Sequence, residues 1–588
     1  MTSPRRRRQP AHGARVAAVT DAGVEAVEPG PEAAVVTISL DAVLWLGLVL
    51  IAALLRFVSL DRLPFSEAES ARAFAAWAVS EGSVPDGWPG DVTAALTSHL
   101  FRMFGSSETV ARIVPAIAGS ALVASFWFAG RYVGRGVALL AAALIALSPL
   151  AVYTSRSAFG FALGGLLSMV MVLSLLAYVE RPRQLPAVIL AAAFGLALAS
   201  DPIATSTAIA IATFIAVEAA WRNSGAVNEA VAAFRSARDH WRPAALALAA
   251  ALILGVVQLG TDIDRLSLPG LRQWADMFAL PRDGLPWHYQ VSLILAYEWP
   301  LLLAGAAGYL LLIDRWRRSR GLSLVQRLLA VWATVAIVTV AFATRRESGQ
   351  LLLLLLPFSL IAASLVQEVV SKTDWSILRR WWPAVALVLA LAAYVVLQLS
   401  RWSRFVTPFP GDEKSYTILA FLAGIAVVSG GIYYLQRNAA SFALPLVAAV
   451  ALPFLVHSSL SLGLRDGAEF AADSRGTAGI AAFRATVARA AAEAGKPAAV
   501  DPSLRDPLGW HLRDIAVAFG DPIEGSPIVT KAGQQPPAGY EPLGAPWRIF
   551  EGWVLDDFDP LPTWRWFVYR KGYGTLSTVD VQILVPAQ

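Results

Sequence analysis

No cysteine occurs anywhere in the chain, so no disulfide can staple a domain facing an oxidising compartment, and no thiolate is present to bind metal or act as nucleophile. Charge is also scarce. Asp, Glu, Lys and Arg make up 15% of residues, where an ordinary soluble chain carries roughly a quarter. There is no glycine-rich phosphate loop with a Walker lysine, which argues against a nucleotide-driven pump. His99, His288, His457 and His511 stand apart without zinc-type spacing. No chain of acids runs through the apolar segments, as an ion-coupled transporter would need. Together these absences exclude a disordered chain, a nucleic-acid tail protein and an ordinary soluble enzyme.

What is present is apolar surface in long blocks: 56% of the 588 residues are hydrophobic. Crossing a bilayer takes about 20 such residues in a helix, and about thirteen stretches qualify. They are 38–58, 109–128, 136–153, 159–179, 185–199, 203–221, 243–259, 291–313, 328–343, 351–366, 382–399, 418–435 and 442–462. The pair around Asp201-Pro202 reads equally well as a proline-broken re-entrant hairpin. The expected architecture is therefore a polytopic α-helical plasma-membrane protein. Residues 1–37, with Arg5 to Arg8, form a disordered cytoplasmic tail rather than a cleavable signal, because the first apolar run begins too far downstream. With the tail inside, arginines such as Arg131, Arg181, Arg242, Arg315 and Arg380 fall in cytoplasmic loops, and Asp61, Glu67, Glu69, Glu81 and Asp91 fall outside. An odd number of spans then puts the C-terminus outside. Residues 38–462 are the transmembrane domain, with a long first outer loop at 59–108. Residues 463–588, where short apolar segments alternate with Pro and Gly after a helical stretch, form a small extracytoplasmic α/β domain.

Within the first outer loop Ser66 is a natural N-cap, with Glu67 and Glu69 in the first helical turn. Acids there favour the helix dipole and need no further role, but they are also the loop's candidates for proton transfer. Arg345 and Arg346 lie outside, against the positive-inside trend; a lipid phosphate would explain them, as would pairing with Glu347 and headgroups. Arg156 is a similar phosphate candidate. Asp262 and Asp264 have a spacing that could hold a divalent ion with a sugar phosphate, though a solvated loop explains them as well.

Several motifs resemble a known group. Ser66-Glu67-Ala68-Glu69-Ser70-Ala71, the stretch from Phe104 to Gly119, and Leu147-Ser148-Pro149 with Tyr153-Thr154-Ser155-Arg156 look like the GT-C membrane glycosyltransferases. Within them they are most similar to the dolichyl-phosphate-mannose protein mannosyltransferase clan, in particular the flippase activity-associated proteins. Trp274 with Arg282, Trp287, His288 and Tyr297-Glu298, then Pro507 to Asp514 and Trp564 to Arg570, agree with that narrower family. The resemblance implies sugar transfer from a polyprenyl-phosphate donor to an extracytoplasmic glycan, lipid or protein acceptor, with membrane lipids but no nucleic acid as partners. It implies Glu67 and Glu69 as catalytic acids, Arg156, Arg345 and Arg346 on the lipid phosphate, and no assigned metal. The clan's catalytic Asp falls on Ser66, which cannot take a proton at neutral pH. A second family acid, expected near Phe159-Gly160, is also absent. A non-catalytic accessory of lipid-linked sugar handling is the rival reading.

Overall fold

An apolar run in lipid must satisfy its backbone internally, so the long blocks become helices. The structure is a computed structural model that describes residues 39–587 except 222–224, 237, 262–267, 280–287, 319–320, 381, 403–418, 420–421, 427–428, 430–446, 465–468, 472–473 and 555–559. Among the described residues, seven helices are long and apolar enough to cross a membrane: Leu40–Phe57, Glu108–Val133, Phe161–Glu180, Pro202–Ala220, Leu324–Phe342, Ser348–Lys372 and Val447–Leu464. Two bent pairs raise the number to nine. The count of thirteen is thus not reproduced. Gln184–Ser200 is apolar but short, Arg238–Val256 begins with three charges, and most of 418–435 lies outside the described residues.

The two bends have local causes and meet each other. Arg135–Leu147 and Pro149–Arg156 turn by 61° at Ser148, where Pro149 has no N–H to continue the ladder and Ser148 caps the second helix. Tyr289–Tyr297 and Trp299–Arg317 turn by 106° at Glu298. The buried Glu298 carboxylate accepts from the Ser148 hydroxyl at 2.6 Å and the Leu150 amide at 2.9 Å, tying one break to the other.

The C-terminal region folds as a seven-stranded sheet. Its strands are β1 (Arg475–Gly476), β2 (Ala498–Val500), β3 (Val517–Phe519), β4 (Ile528–Lys531), β5 (Tyr540–Pro542), β6 (Trp547–Val554) and β7 (Thr575–Pro586). The order is β1-β6-β7-β4-β2-β3, with β5 also on β7, and only the β2 pairings are parallel. Helix Gly479–Ala494 contributes Ile480, Phe483 and Val487 to the core, and helix Arg505–Leu512 with its preceding turn contributes Leu504, Leu508 and Leu512, both at helical spacing, against Val500, Val529, Phe550 and Ile583 of the sheet. Gly495 ends the first of these helices in a left-handed conformation at φ 60°.

The sheet domain docks on the 59–108 loop. Trp510 is buried between Phe65 and Phe101, the Ser70 hydroxyl donates to the Pro507 carbonyl at 2.8 Å, and the Gly476 amide donates to the Phe65 carbonyl at 3.0 Å. A second anchor lies at the Tyr297 end. Glu469 accepts from the Tyr297 hydroxyl at 2.6 Å and from Arg570 at 3.4 Å, and Arg570 stacks over Trp566. The described residues from Leu44 onward therefore pack as one unit. Trp332, Trp510 and Trp566 are fully buried.

Candidate functional site

The site is built outward from Ser66, the position where the resemblance expects a catalytic acid. Ser66 caps helix Glu67–Ser80, and the Glu69 side chain returns to the Ser66 amide at 3.0 Å, completing a capping box. Glu67 and Glu69 share this turn, but positions two apart on a helix project to nearly opposite sides. Glu69 turns inward and is buried. Its two oxygens accept from Ser66 N, from Ala158 N at 2.9 Å, and twice from Arg112 at 3.1 Å. Arg112 also donates to the carbonyls of Leu60 and Leu63 and lies over the Phe65 ring. Burial alone would raise the Glu69 pKa, but the charge and hydrogen bonds of Arg112 outweigh it and hold the carboxyl below its ordinary value. With its acceptor positions occupied, Glu69 is a clamp that fixes the first turn to the start of the 108–133 span.

Glu67 points the other way, toward the sheet domain. Burial raises its pKa, Lys531 pulls it back down and Asp506 adds to the rise. Arg156 is also heavily hydrogen-bonded. Its two terminal nitrogens donate to the carbonyls of Leu55, Arg56, Val58 and Ser59 at 2.8–3.3 Å, capping the end of the first span. Four oxygen partners leave this guanidinium as a scaffold first and an anion site only through its charge.

Arg475 enters from β1, bridged to Ser66, and donates to the Leu462 carbonyl at 3.0 Å. Together Ser66, Glu69, Arg112, Tyr153, Arg156 and Arg475 wall a cavity of about 30 Å³, room for about one water. Three guanidiniums face one carboxylate there, an excess of positive charge beside Ser66. Two larger clefts flank it. One, of about 410 Å³, runs along β1 and β6; the other, of about 490 Å³, lies among Asp61, Glu108, Arg484 and His511. Burial pushes the His511 pKa down to about 4, so this imidazole is neutral at physiological pH. Arg475 lines the first two cavities, and Thr477 and Ala478 line both large ones.

Gly476 is the narrow point of this arrangement. A Cβ there would lie 2.7 Å from the Phe65 carbonyl oxygen and 2.9 Å from Pro64 Cβ, so Gly476→Ala has to push β1 off the 59–108 loop. The substitution is expected to cost about 1–3 kcal/mol and to increase protease cleavage between the last span and the sheet; unchanged proteolysis and melting would show that this contact is loose.

The remaining candidates are scattered. Arg345 and Arg346 lie between helices 324–342 and 348–372, with Arg346 buried and Arg345 exposed. Their segment is held by the Thr344 hydroxyl on the carbonyls of Met277 and Ala279, and neither arginine lines the cavity beside Ser66. His288 is the N-cap of helix Tyr289–Tyr297 and lines none of these clefts. Asp262, Asp264 and Trp287 lie outside the described residues. Among the described residues no three His, Asp or Glu side chains converge as a metal site would require. Sequence reading did not select Arg112, Arg475, Glu469 or Arg570. An arginine inside an apolar span is a signal that could have marked Arg112. Arg475 and Glu469 sit in a segment with no pattern to single them out.

Residues 91–235 match the family model described as dolichyl-phosphate-mannose-protein mannosyltransferase. No curated protein matches the sequence. Among solved structures, ArnT from Cupriavidus metallidurans bound to undecaprenyl phosphate superposes with a TM-score of 0.51 at 16% identity, over 81% of this chain and 85% of that one. The same protein in its apo state gives a TM-score of 0.47 at 16% identity over 80% and 84% of the two chains. The apo oligosaccharyltransferase of Archaeoglobus fulgidus gives 0.42 at 14% identity, over 71% of this chain and 56% of that one.

Proposed function

We propose that this chain, a multi-pass membrane protein of the GT-C superfamily by its fold and its mannosyltransferase-family segment, transfers a sugar from a polyprenyl-phosphate-linked donor to an extracytoplasmic acceptor. The supporting observation is the excess of guanidinium charge beside Ser66, at the junction of the 59–108 loop and the sheet domain. ArnT, whose fold the chain shares, was solved with undecaprenyl phosphate bound. In transfer, an acceptor hydroxyl forms a bond to the anomeric carbon as the bond to the phosphate oxygen breaks. The phosphate leaves with more negative charge, and the hydroxyl proton must go to a base. On this reading Arg475, with the charge of Arg112 and Arg156 behind it, stabilises the leaving phosphate, and Arg345 and Arg346 meet the lipid phosphate as it approaches along the bilayer surface. Glu69 holds Arg112 in place. Glu67 is the proton acceptor on this reading; it lines none of the three cavities, so the acceptor hydroxyl has to enter from the sheet-domain side of the turn, where a half-buried carboxyl with a raised pKa is a stronger base than one saturated by hydrogen bonds. Donor entry requires β1 to draw back from Phe65 and Ser66, because a cavity of about 30 Å³ admits no phosphate.

Glu67→Gln is expected to lower sugar transfer about 100-fold with melting unchanged. Equal turnover in that variant, measured with labelled polyprenyl-phosphate sugar in proteoliposomes, would remove Glu67 from the mechanism.

One observation favours a second reading. Ser66 replaces the acid and the space beside it is small, about 30 Å³, which suits a chain that handles lipid-linked sugar without transferring it. Mass spectrometry of surface glycans and glycoproteins with and without the gene product separates the two. A sugar increment that disappears with the protein supports transfer. An unchanged glycan profile, with labelled donor lipid bound but not consumed, supports the accessory role.

A further inference from the structure

The cavity of about 410 Å³ along β1 and β6 has no part in the chemistry described so far, and its size falls in the range of small-molecule sites. It exists because β6 is irregular. The pairing with β7 slips between Arg548 and Phe550, so that Ile549 and Phe550 both enter the core while Trp547, Arg548, Glu551 and Trp553 line the opening. Arg475 and Glu469 complete the walls.

Three features define what would fit. First, two buried polar atoms on lining residues lack a partner among the described residues: Glu469 Oε1, on a carboxylate that is 2% exposed, and Trp547 Nε1. One must accept a hydrogen bond and the other must donate one, and a hydroxyl answers both needs because it does each. Secondly, the lining carries two arginines and two glutamates, a balanced charge that favours a neutral ligand over a phosphate or a polyanion. Thirdly, Trp547 and Trp553 supply broad apolar faces beside these polar groups.

We infer that this cavity is a saccharide-binding subsite, in which a neutral saccharide lies along β6 with one ring on Trp547 and its further extent toward Trp553, its hydroxyls bonding Trp547 Nε1, Glu551, Glu469 and the flanking arginines. The site deepens the transfer reading and rests on it only for the sugar's place in the reaction. The ring could belong to the acceptor or to the lipid-linked donor, since Arg475 is shared with the cavity beside Ser66.

The test uses the full chain in nanodiscs and saturation-transfer NMR on two probes, methyl α-D-mannoside and a short-chain polyprenyl phosphomannose. Wild type is expected to saturate the ring protons of at least one probe. Trp547→Phe, which keeps a ring but removes the N–H, and Glu551→Gln should each weaken that binding by roughly tenfold, the loss of one well-placed hydrogen bond. Glu469→Gln should do the same, but it also disturbs Tyr297 and Arg570, so its result counts only if melting is preserved. Saturation of the free glycoside places an acceptor-type sugar in the cavity; saturation of the lipid-linked probe alone places the donor's sugar there. Saturation of neither ring, or equal saturation in Trp547→Phe and wild type, overturns the subsite. Intact binding with no transfer in cells would sink the transfer reading and leave this site standing.

Discussion

Glu69→Gln is expected to destabilise the folded protein by about 3–5 kcal/mol, because it leaves Arg112 as an uncompensated charge at a buried position. Arg112→Met should cost a similar amount for the converse reason. The double replacement Glu69→Leu with Arg112→Met is expected to lose less than the sum of the two, since removing both charges removes the unpaired one. Glu67→Gln, two positions before, should shift stability by no more than about 0.5 kcal/mol. Thermal unfolding followed by circular dichroism reads all four variants. Additive losses in the double variant would mean that the clamp is not the source of the stability. The pH dependence has a definite sign. The folded-state pKa of Glu69 lies below its ordinary value of 4.5, so its contribution is fully present above that value and is lost as pH falls through the lower, folded one. Wild type should therefore lose stability below about pH 4.5 more steeply than the Glu69→Leu/Arg112→Met pair.

Arg475→Ala is expected to lower transfer by about 10²–10³-fold, the usual consequence of removing one preorganised donor from a developing negative charge. The position matters more than the charge count. Arg475 is the one guanidinium of the three brought by the sheet domain, and it stands on the wall shared by the small cavity and the large one. Lysine restores the charge without the fork, so Arg475→Lys should recover only part of the rate. The measurement is turnover of labelled polyprenyl-phosphate sugar in proteoliposomes, with melting recorded alongside. Full turnover in Arg475→Ala would refute the phosphate role, whereas a loss of rate that only follows a loss of folding would reduce Arg475 to a structural pin.

Much of the fold was legible because hydropathy and capping are local. The spans read from sequence at 38–58 and 159–179 are the helices Leu40–Phe57 and Phe161–Glu180, and Ser66 is the N-cap that its neighbours suggested. Even the break at Ser148-Pro149 carries its own signature. The break at Glu298 is likewise marked by a proline, Pro300 in the first turn of the next helix, but the tie that joins the two breaks is not legible, because it depends on a carboxylate that finds Ser148 and Leu150 on another span. Family-like motifs marked important places without revealing their roles: Pro507 to Asp514 docks the sheet on the loop through Trp510, and Trp564 to Arg570 locks onto Tyr297 through Arg570 and Glu469.

The sequence alone determined that the chain is a multi-pass membrane protein, that the 59–108 loop carries concentrated charge, and that Ser66 stands where an acid was expected. Tertiary structure decided what those charges do. Glu69 is neutralised by an arginine 43 residues away, Arg156 is committed to carbonyls about 100 residues earlier, and the site is completed by Arg475 from beyond the last span. The physical reason is that helix formation and membrane insertion depend on neighbours within a few turns, whereas the role of a buried charge is set by whichever group packing brings opposite it.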